Sequence, residues 1–336
     1  MRTIVLIEAD HNLNNKLLGK RAMAYSEKYQ ALAPEQYGSR KKLSATQASV
    51  KNRLMHDLMR QTRHGSIICS NNAKSCYNRI LHSVLSLSLQ RLGVPQPSIQ
   101  SMLTTIQKMK HQIRTAYGTS RSSYGSQSGL PPLQGVIQGH DTAPTGWSIT
   151  STPIINAIRN AGYGFKHTSA ISLHPLTVAC TAFIDDTDLW LSASSPTTPP
   201  SSTLQQAQDM LDLWNGTLHS TGGALVASKS HWHWIDFQWD GSSWQYITPD
   251  PNASLTIYNY ATQQREPLQL LTSSQGRRTL SVYLRPDGSK EATIAALLQK
   301  SVSWASNLRS RPLPAALAWL ALNIREHKSV NLQKRR

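Results

Sequence analysis

Apolar residues recur along the chain at two different spacings. The opening predicts a short strand followed by a basic helix. A spacing of three to four residues predicts further helices, over residues 45–62, 75–92, 97–113, 144–161, 203–219, 290–307 and 313–326. Continuous or alternating apolar residues predict short strands, at 65–70, 176–184, 189–191 and 231–239. Because the two kinds of element are mixed without a regular alternation, the pattern favours an α+β fold over a doubly wound sheet.

The same pattern predicts which side chains are buried in the opening helix and in the strand at 231–239. In the helix, Leu17 is expected to face inward. In the strand "HWHWIDFQW", Trp232 and Trp234 are expected in the core, and the alternating His231 and His233 are expected to face solvent. The helix at 45–62 has five apolar residues at helical spacing, which are Val50, Leu54, Met55, Leu58 and Met59.

The balance of charge changes sign along the chain, whose formal net charge is +17. Residues 1–130 carry 19 basic and 5 acidic side chains, residues 131–260 carry 3 and 9, and residues 261–336 carry 13 and 4. Two basic flanks around an acidic centre suit a polyanion such as a nucleic acid, held over a centre that itself binds cations.

The sequence predicts an intracellular protein, cytoplasmic or nuclear. No apolar run approaches the roughly 20 residues of a membrane-spanning helix, so no membrane association is expected. The apolar part of "MRTIVLIEAD" is too short for a signal peptide. Cys69, Cys76 and Cys180 lack metal-ligand spacing and are expected to be buried thiols in a reducing compartment.

A pair of carboxylates interrupts the apolar run at residues 176–193. Asp185 and Asp186 stand at the predicted turn between two strands of "LTVACTAFIDDTDLWLSA". Two adjacent charges in an apolar setting are costly unless a cation compensates them. Two-metal phosphoryl transfer uses such carboxylates, and Mg²⁺ prefers their hard oxygen ligands. A solvated surface turn is the alternative, which the apolar flanks disfavour.

Six short segments, in one order, resemble motifs of reverse transcriptases. They are "RTIVLIEADHNLNNKLLGKRAM" at the start, "EQYGSRKK" (35–42), "GVIQGHDTAP" (135–144), "FIDD" (183–186), "GGALVASKS" (222–230) and "RRTLSVYL" (277–284). Each is weak alone, but together they extend over nearly the whole chain in family order. The resemblance is to polymerases of non-LTR retrotransposons, so the chain is expected to be part of a retroelement. A place within a longer retroelement polyprotein is one alternative that this resemblance implies.

The resemblance implies a right-hand polymerase fold of the α+β class. The fingers would comprise residues 1–65, and the first palm motif residues 66–93. A connecting helix and loop of the fingers would follow at 94–132, then the rest of the palm at 133–288. The thumb and a basic tail would occupy 289–336. The implied reaction is RNA-templated extension of a DNA primer with deoxynucleoside triphosphates, assisted by two Mg²⁺ ions.

The resemblance also implies roles for individual residues. The positions that match the family's catalytic residues are Asp185, Asp186, Asn72 and Lys229, and those that match its nucleotide- or template-binding residues are Arg40, Tyr77, Gln138 and Gly139. Asp185 and Asp186 would hold metal, and Lys229 would protonate the pyrophosphate leaving group. The alternatives are that Lys229 is a plain surface lysine and that Arg40 only solvates a basic loop.

The first palm motif departs from the family pattern at its metal-binding position. In "SIICSNNAKSCYNRI" (66–80), Cys76 and Tyr77 match the family's small–aromatic pair, and Tyr77 would screen the sugar 2′ position. That register puts Asn72 and Asn78 where the family has aspartates. Asparagine keeps one carbonyl oxygen but removes a full negative charge from a site built for two dications.

The sequence therefore predicts a reverse transcriptase domain that is impaired or inactive. A wrong register, with the true aspartate elsewhere, is one alternative. Another is a non-catalytic RNA- or DNA-binding remnant that keeps the cleft but not the chemistry. An RNA-directed RNA polymerase is a third, disfavoured by "EQYGSRKK" and by the placement of the "QG" pair.

Overall fold

Helices and strands follow one another irregularly along the chain, as expected for an α+β fold. The computed structural model describes residues 6–125, 134–137, 139–195, 198–280, 282–310, 314–317 and 319. In these ranges helices α1 to α8 span Ala9–Lys28, Ala45–Thr62, Cys76–Arg79, His82–Arg91, Gln96–Lys108, Ala143–Asn160, Pro200–Ser220 and Glu291–Arg309. Strands β1 to β15 span Ser66–Asn72, Arg114–Thr115, Gly118–Thr119, Phe165–Thr168, Pro175–Val178, Cys180–Phe183, Asp186–Ser192, His231–Ile235, Phe237–Trp239, Trp244–Tyr246, Thr256–Asn259, Gln264–Pro267, Gln269–Leu271, Arg277–Thr279 and Val282–Leu284.

Strand β1 lies at the centre of a five-stranded sheet with the order β13–β8–β1–β7–β6. Strands β7 and β8 run antiparallel to β1 on its two sides, β6 is antiparallel to β7, and β13 is parallel to β8. The register places Asn72 opposite Asp186 and Ser70 opposite Asp188. On the other side of β1, Ser70 lies opposite His231. The sheet thus joins segments that are far apart in sequence.

One face of the sheet forms the main core with helices α6 and α7. Strand residues that alternate toward this face, such as Ile67, Leu189 and Trp232, share a buried cluster with Ile149 of α6 and Leu211 of α7. Burial of such apolar side chains stabilises the fold by roughly 1.5–3 kcal/mol each. This face therefore anchors the strand ends that carry the acidic pair.

Helix α2 covers the opposite face of the sheet. Near one end of the sheet its Met55 and Met59 pack with Trp190 in a second apolar cluster. Toward the end that carries Asp186 the contact becomes polar, because Asn52 and His56 of α2 are buried there. The ring of His56 lies 5.5 Å from that of Trp190, edge to face. One face of the sheet thus changes from apolar to polar along its length.

The prediction that His231 and His233 face solvent is wrong. Both side chains are buried, because α2 and the β14–β15 hairpin cover the face that they share with Ser70. The apolar set of the second helix also divides, since Val50 and Leu54 are exposed while its two methionines are buried. The prediction of core positions on strand β8 holds for Trp232, which is fully buried.

Most predicted elements are present, with two interruptions. The helix predicted at 75–92 is divided, because α3 ends at Arg79 and α4 begins at His82. The strand predicted at 176–184 is also divided, since β5 pairs with β4 whereas β6 pairs with β7. Helix α8 matches the helix predicted at 290–307, and most of that predicted at 313–326 lies outside the described residues. The predicted buried thiols are confirmed, as Cys69, Cys76 and Cys180 are free and buried.

None of the helices in the described ranges combines the length and apolar character needed to cross a lipid bilayer.

Candidate active site

The turn between β6 and β7 carries the acidic pair and is held by its neighbours through backbone groups. The indole nitrogen of Trp147, on α6, donates to the carbonyl oxygen of Ile184 at 2.5 Å. The Oε1 atom of Gln36 accepts from the amide of Ile184 at 3.0 Å. The amide of Ala73 donates to the carbonyl of Asp185 at 2.9 Å. Ile184 has a φ of +59°, so these contacts stabilise a backbone conformation that a β-branched residue disfavours.

The loop at 35–40 fits closely against this turn. Gln36 is fully buried, and its Oε1 also accepts from the amide of Gly38 at 2.9 Å. A Cβ atom at Gly38 would lie 2.5 Å from Cγ1 of Ile184, so only glycine permits this approach. The segment "EQYGSRKK" (35–42) therefore contacts the acidic turn directly.

Asn72 and Asp186 meet at the end of strands β1 and β7. The side-chain amide Nδ2 of Asn72 donates to Oδ1 of Asp186 at 3.0 Å. An ionised carboxylate only accepts hydrogen bonds, so the amide must present its NH₂ group to it. The backbone amide of Asn72 is bound in turn by Oγ of Ser230, at 3.3 Å. The structure thus brings Asn72, Asp186 and the turn with Asp185 together, as the register predicted.

Asp188 lies two residues further along β7, behind this pair. Its carboxylate accepts from Oγ of Ser70 at 2.5 Å and from Nδ2 of Asn52 at 2.5 Å. Burial raises the pKa of Asp188 to about 6, against the two hydrogen bonds, which lower it. Burial also lowers the pKa of His231 to about 3 and that of His233 to about 4. The histidines beside Asp188 are therefore neutral at pH 7 and do not compensate its charge.

A cleft of about 440 Å³ opens in front of these strand ends. Asn72 and Asp186 form part of its wall, and Lys229, which ends the short 3₁₀ turn Ala227–Lys229, forms another part. Arg277 and Arg278 of β14 line the opposite side. A larger cavity of about 690 Å³ lies near the far end of β7, and it contains none of the predicted site residues. The chemistry points to the smaller cleft, where acidic and basic groups meet.

Arg40 does not reach this cleft in the structure. Its guanidinium binds both carboxylate oxygens of Glu27, at 2.7 and 2.8 Å. It also donates to the carbonyl of Ala33 at 3.0 Å. These contacts join the loop at 35–42 to α1, and the predicted contact of Arg40 with a nucleotide stays a prediction.

The segment "GVIQGHDTAP" (135–144) begins in contact with helix α3. The amide of Val136 donates to the carbonyl oxygen of Tyr77 at 2.8 Å. A Cβ atom at Gly135 would lie 2.3 Å from that same oxygen, so the two backbones touch. Gln138 lies outside the described residues. Gly139 is exposed and has a φ of +118°, a conformation suited to glycine.

Sequence reasoning missed several residues that build this site. Gln36 belonged to a recognised segment, but its contact with the turn had no sequence signal. Trp147 and Asn52 belong to no motif that stands out in the sequence. Only the three-dimensional arrangement, which joins Asn52 to Asp188 across 136 positions, shows what these residues do.

Comparison with known proteins decides the family. The sequence matches the reverse transcriptase (RNA-dependent DNA polymerase) family over residues 1–244. The chain belongs to the reverse transcriptases. Its α+β architecture is the right-hand polymerase fold of that family. No curated protein matches the sequence significantly.

Among solved structures, this reverse transcriptase is similar to yeast telomerases. Telomerase from Candida tropicalis, truncated from its C-terminal domain, has a TM-score of 0.43 and 12% identity, covering 75% of this chain and 44% of that one. Telomerase from Candida albicans, in complex with a TWJ fragment of telomeric RNA, has a TM-score of 0.39 and 15% identity, covering 75% and 37%. The chain thus spans less than half the length of these telomerases.

Reverse transcriptases use divalent metal ions, but the donor set at this turn does not fit a pair of them. Asp185 and Asp186 supply two charges where Asn72 supplies none, and the NH₂ group of Asn72 already binds an oxygen of Asp186. An N–H donor aimed at a carboxylate oxygen occupies a direction from which a cation would bind. Among the described residues, no group of three or more histidine, cysteine, aspartate and glutamate side chains is placed to hold a metal ion.

Proposed function

We propose that this chain is a reverse transcriptase domain of the non-LTR retroelement type, in which RNA-templated DNA synthesis is impaired by Asn72. The observation that carries the proposal is the 3.0 Å hydrogen bond from Nδ2 of Asn72 to Asp186. The amide stands at the position where the family resemblance expects a third metal-binding carboxylate. It presents a hydrogen-bond donor there instead of a charge.

The substrates follow from the family and the charge distribution. The basic flanks bind an RNA template paired with a DNA primer, and the cleft receives a deoxynucleoside triphosphate. In the reaction of this family the primer 3′-hydroxyl attacks the α-phosphate and pyrophosphate leaves. Asp185 and Asp186 are the proposed metal ligands, and Lys229, which lines the same cleft as Asp186, is the proposed acid toward the pyrophosphate leaving group. Arg40, Tyr77, Gln138 and Gly139 are the proposed nucleotide and template contacts, and the fingers, palm and thumb boundaries are those given above.

The size of the defect follows from charge. Two divalent cations bring +4, and three carboxylates would offset −3, whereas here only −2 remains before substrate phosphates are added. Since each factor of ten in rate corresponds to about 1.36 kcal/mol of barrier, a loss of several powers of ten is expected. The donor set supports no metal-dependent step without a change at residue 72.

The alternative is a non-catalytic RNA- or DNA-binding remnant of such a polymerase. One observation favours it: the amide of Asn72 and the carboxylate of Asp186 satisfy one another without an ion. A cleft held in this way needs no metal to keep its shape. Both proposed functions predict nucleic-acid binding, and a measurement of DNA synthesis distinguishes them.

Primer extension on an RNA template, in Mg²⁺ and separately in Mn²⁺, tests the proposal. The unaltered chain is compared with Asn72→Asp and with Asn72→Asp combined with Asp185→Asn. Asn252→Asp is a matched control, because it makes the same chemical change at an exposed residue that does not line the cleft. Synthesis by Asn72→Asp that is several powers of ten faster than by the unaltered chain and by the double variant supports the proposal, and equal rates for Asn72→Asp and the unaltered chain refute it. If no variant extends the primer but all bind the duplex, the non-catalytic function is supported.

Stability gives a second readout that needs no synthesis. Asn72→Asp removes a hydrogen bond and sets two carboxylates against each other, so the variant should unfold at a lower temperature than the unaltered chain without divalent cations. Mg²⁺ should raise the unfolding temperature of the variant by more than that of the unaltered chain, because a ligand of the native state stabilises it. An equal effect of Mg²⁺ on both proteins would show that residue 72 does not contact the ion.

A further inference from the structure

Helix α1 buries mostly small or polar residues and exposes several apolar ones. Its buried residues are Asn15, Gly19, Ala22, Met23 and Ser26. Leu17, which the sequence pattern placed inside, is 49% exposed, and Leu13 is 55% exposed. The helix therefore exposes to solvent apolar side chains of the kind that usually contact another molecule.

Two tyrosines continue this exposed side at the end of the helix. Tyr25 and Tyr29 are 49% and 56% exposed, and their ring centroids lie 4.4 Å apart. The ammonium group of Lys28 lies 5.2 Å from the ring of Tyr29. Exposed aromatic rings beside a cation are a surface on which nucleic-acid bases stack.

Cations are interleaved with these apolar residues. Arg21 and Lys20 lie four and five positions before Tyr25, which is at least one helical turn, and both are exposed. Within the described residues, neither they nor Lys28 forms an ion pair with an acidic side chain. Arg40 of the following loop binds Glu27 of α1, and two further cations, Lys41 and Lys42, come directly after it in the sequence.

The acidic residues of this surface do not balance its cations. Glu27 is already bound by Arg40, and Lys16 is paired with Asp141 at 3.6 Å. Asp10 lies in the first turn of the helix, about 15 Å along the axis from Lys20 at 1.5 Å per residue. The surface that includes the tyrosines thus carries unopposed positive charge.

We infer that this side of α1, which we term the α1 basic face, is a second nucleic-acid site that binds single-stranded RNA. It comprises Leu13, Leu17, Lys20, Arg21, Tyr25, Lys28 and Tyr29. None of its residues lines the cleft that contains Asp186. The cations contact phosphates and the tyrosine rings stack on bases, so binding tolerates different sequences. This site does not depend on the chemistry at Asn72.

Fluorescence anisotropy with a labelled single-stranded RNA of 20 nucleotides and the full chain tests the inference. Replacing Lys20, Arg21 and Lys28 by glutamine should weaken binding and make the slope of log K against log salt shallower by about 2, at about 0.7 per phosphate contact. Replacing Tyr25 and Tyr29 by alanine should weaken binding about tenfold or more with the slope unchanged, and phenylalanine at both positions should preserve binding.

The matched control removes three exposed cations from helix α8 by Lys290→Gln, Lys300→Gln and Arg309→Gln. Equal weakening by the α8 and α1 variants would overturn the inference, because net charge alone would then explain the binding. Anionic lipid vesicles provide the other arm. If the α1 substitutions abolish vesicle binding and leave RNA binding intact, the face contacts lipid and the inference fails. Since the assay needs no synthesis, its outcome is separate from that of the Asn72→Asp experiment.

Discussion

Replacing Gln36 with leucine tests how the acidic turn is held in place. The Oε1 atom of Gln36 accepts from the amides of Gly38 and Ile184, at 2.9 and 3.0 Å. Its Nε2 donates to Oγ of Ser151 at 3.2 Å. Leucine has a similar volume but no acceptor, so Gln36→Leu removes all three bonds while filling the space.

The cost is dominated by the two amides that lose their acceptor. A buried donor without a partner costs about 1–3 kcal/mol, so two of them cost about 4 kcal/mol. The added apolar surface of leucine offsets about 1 kcal/mol of this. A net loss of about 3 kcal/mol is therefore expected. Ser151→Ala removes the third bond and the bond from Oγ of Ser151 to the carbonyl of Ser148, at 3.3 Å. It keeps both bonds to Oε1 of Gln36 and should cost about 1 kcal/mol.

Urea unfolding followed by tryptophan fluorescence measures both variants. The midpoint should fall further for Gln36→Leu than for Ser151→Ala, with the slope of free energy against urea unchanged. If Gln36→Leu costs no more than Ser151→Ala, the carbonyl of Gln36 does not hold the turn and the reasoning is refuted.

Three further predictions concern the same scaffold. Trp147→Phe should cost about 1–2 kcal/mol of unfolding free energy more than Trp214→Phe, because among the described residues the buried Nε1 of Trp214 has no hydrogen-bond partner to lose; equal costs in urea unfolding would contradict this. Gly135→Ala should cost about 2 kcal/mol or more, since its Cβ would lie 2.3 Å from backbone atoms. Gly146→Ala, inside a helix and 3.4 Å from the nearest side chain, should cost nothing in the same urea unfolding measurement. The pKa of His233 is lowered by burial to about 4, so its contribution to stability is complete above pH 6.5 and is lost as the pH falls toward 4. Between pH 7 and pH 5, His233→Gln should therefore lose about 2 kcal/mol less unfolding free energy than the unaltered chain loses. An identical loss for both proteins in urea titrations would refute the lowered pKa of His233.

The order of elements could be predicted from sequence because most of them are covered on one side only. The helix Pro200–Ser220 is an example, since Ala207, Leu211, Trp214 and Leu218 are buried at helical spacing. Asn72 and Asp186 could be placed together because two recognised motifs fix the register of the strands that carry them.

Buried polar contacts between distant segments could not be predicted. Asn52 is a polar residue of α2. It is buried, and its side-chain amide donates a hydrogen bond to the buried carboxylate of Asp188. His231 and His233 alternate with tryptophans, a pattern that indicates a strand with one solvated face. Strand β8 lies inside the sheet with both faces covered, so the same alternation has a different meaning there.

The residues that hold the acidic turn are different from Asn72, the residue proposed to weaken its chemistry. Gln36, Trp147 and the amide of Ala73 bind backbone atoms of Ile184 and Asp185, and none of these contacts uses the side chain of Asn72. A substitution at residue 72 can therefore change the charge of the site while the turn keeps its position. For this reason the proposed function requires that one substitution, Asn72→Asp, be enough to restore metal binding, and it locates any remaining defect outside the turn.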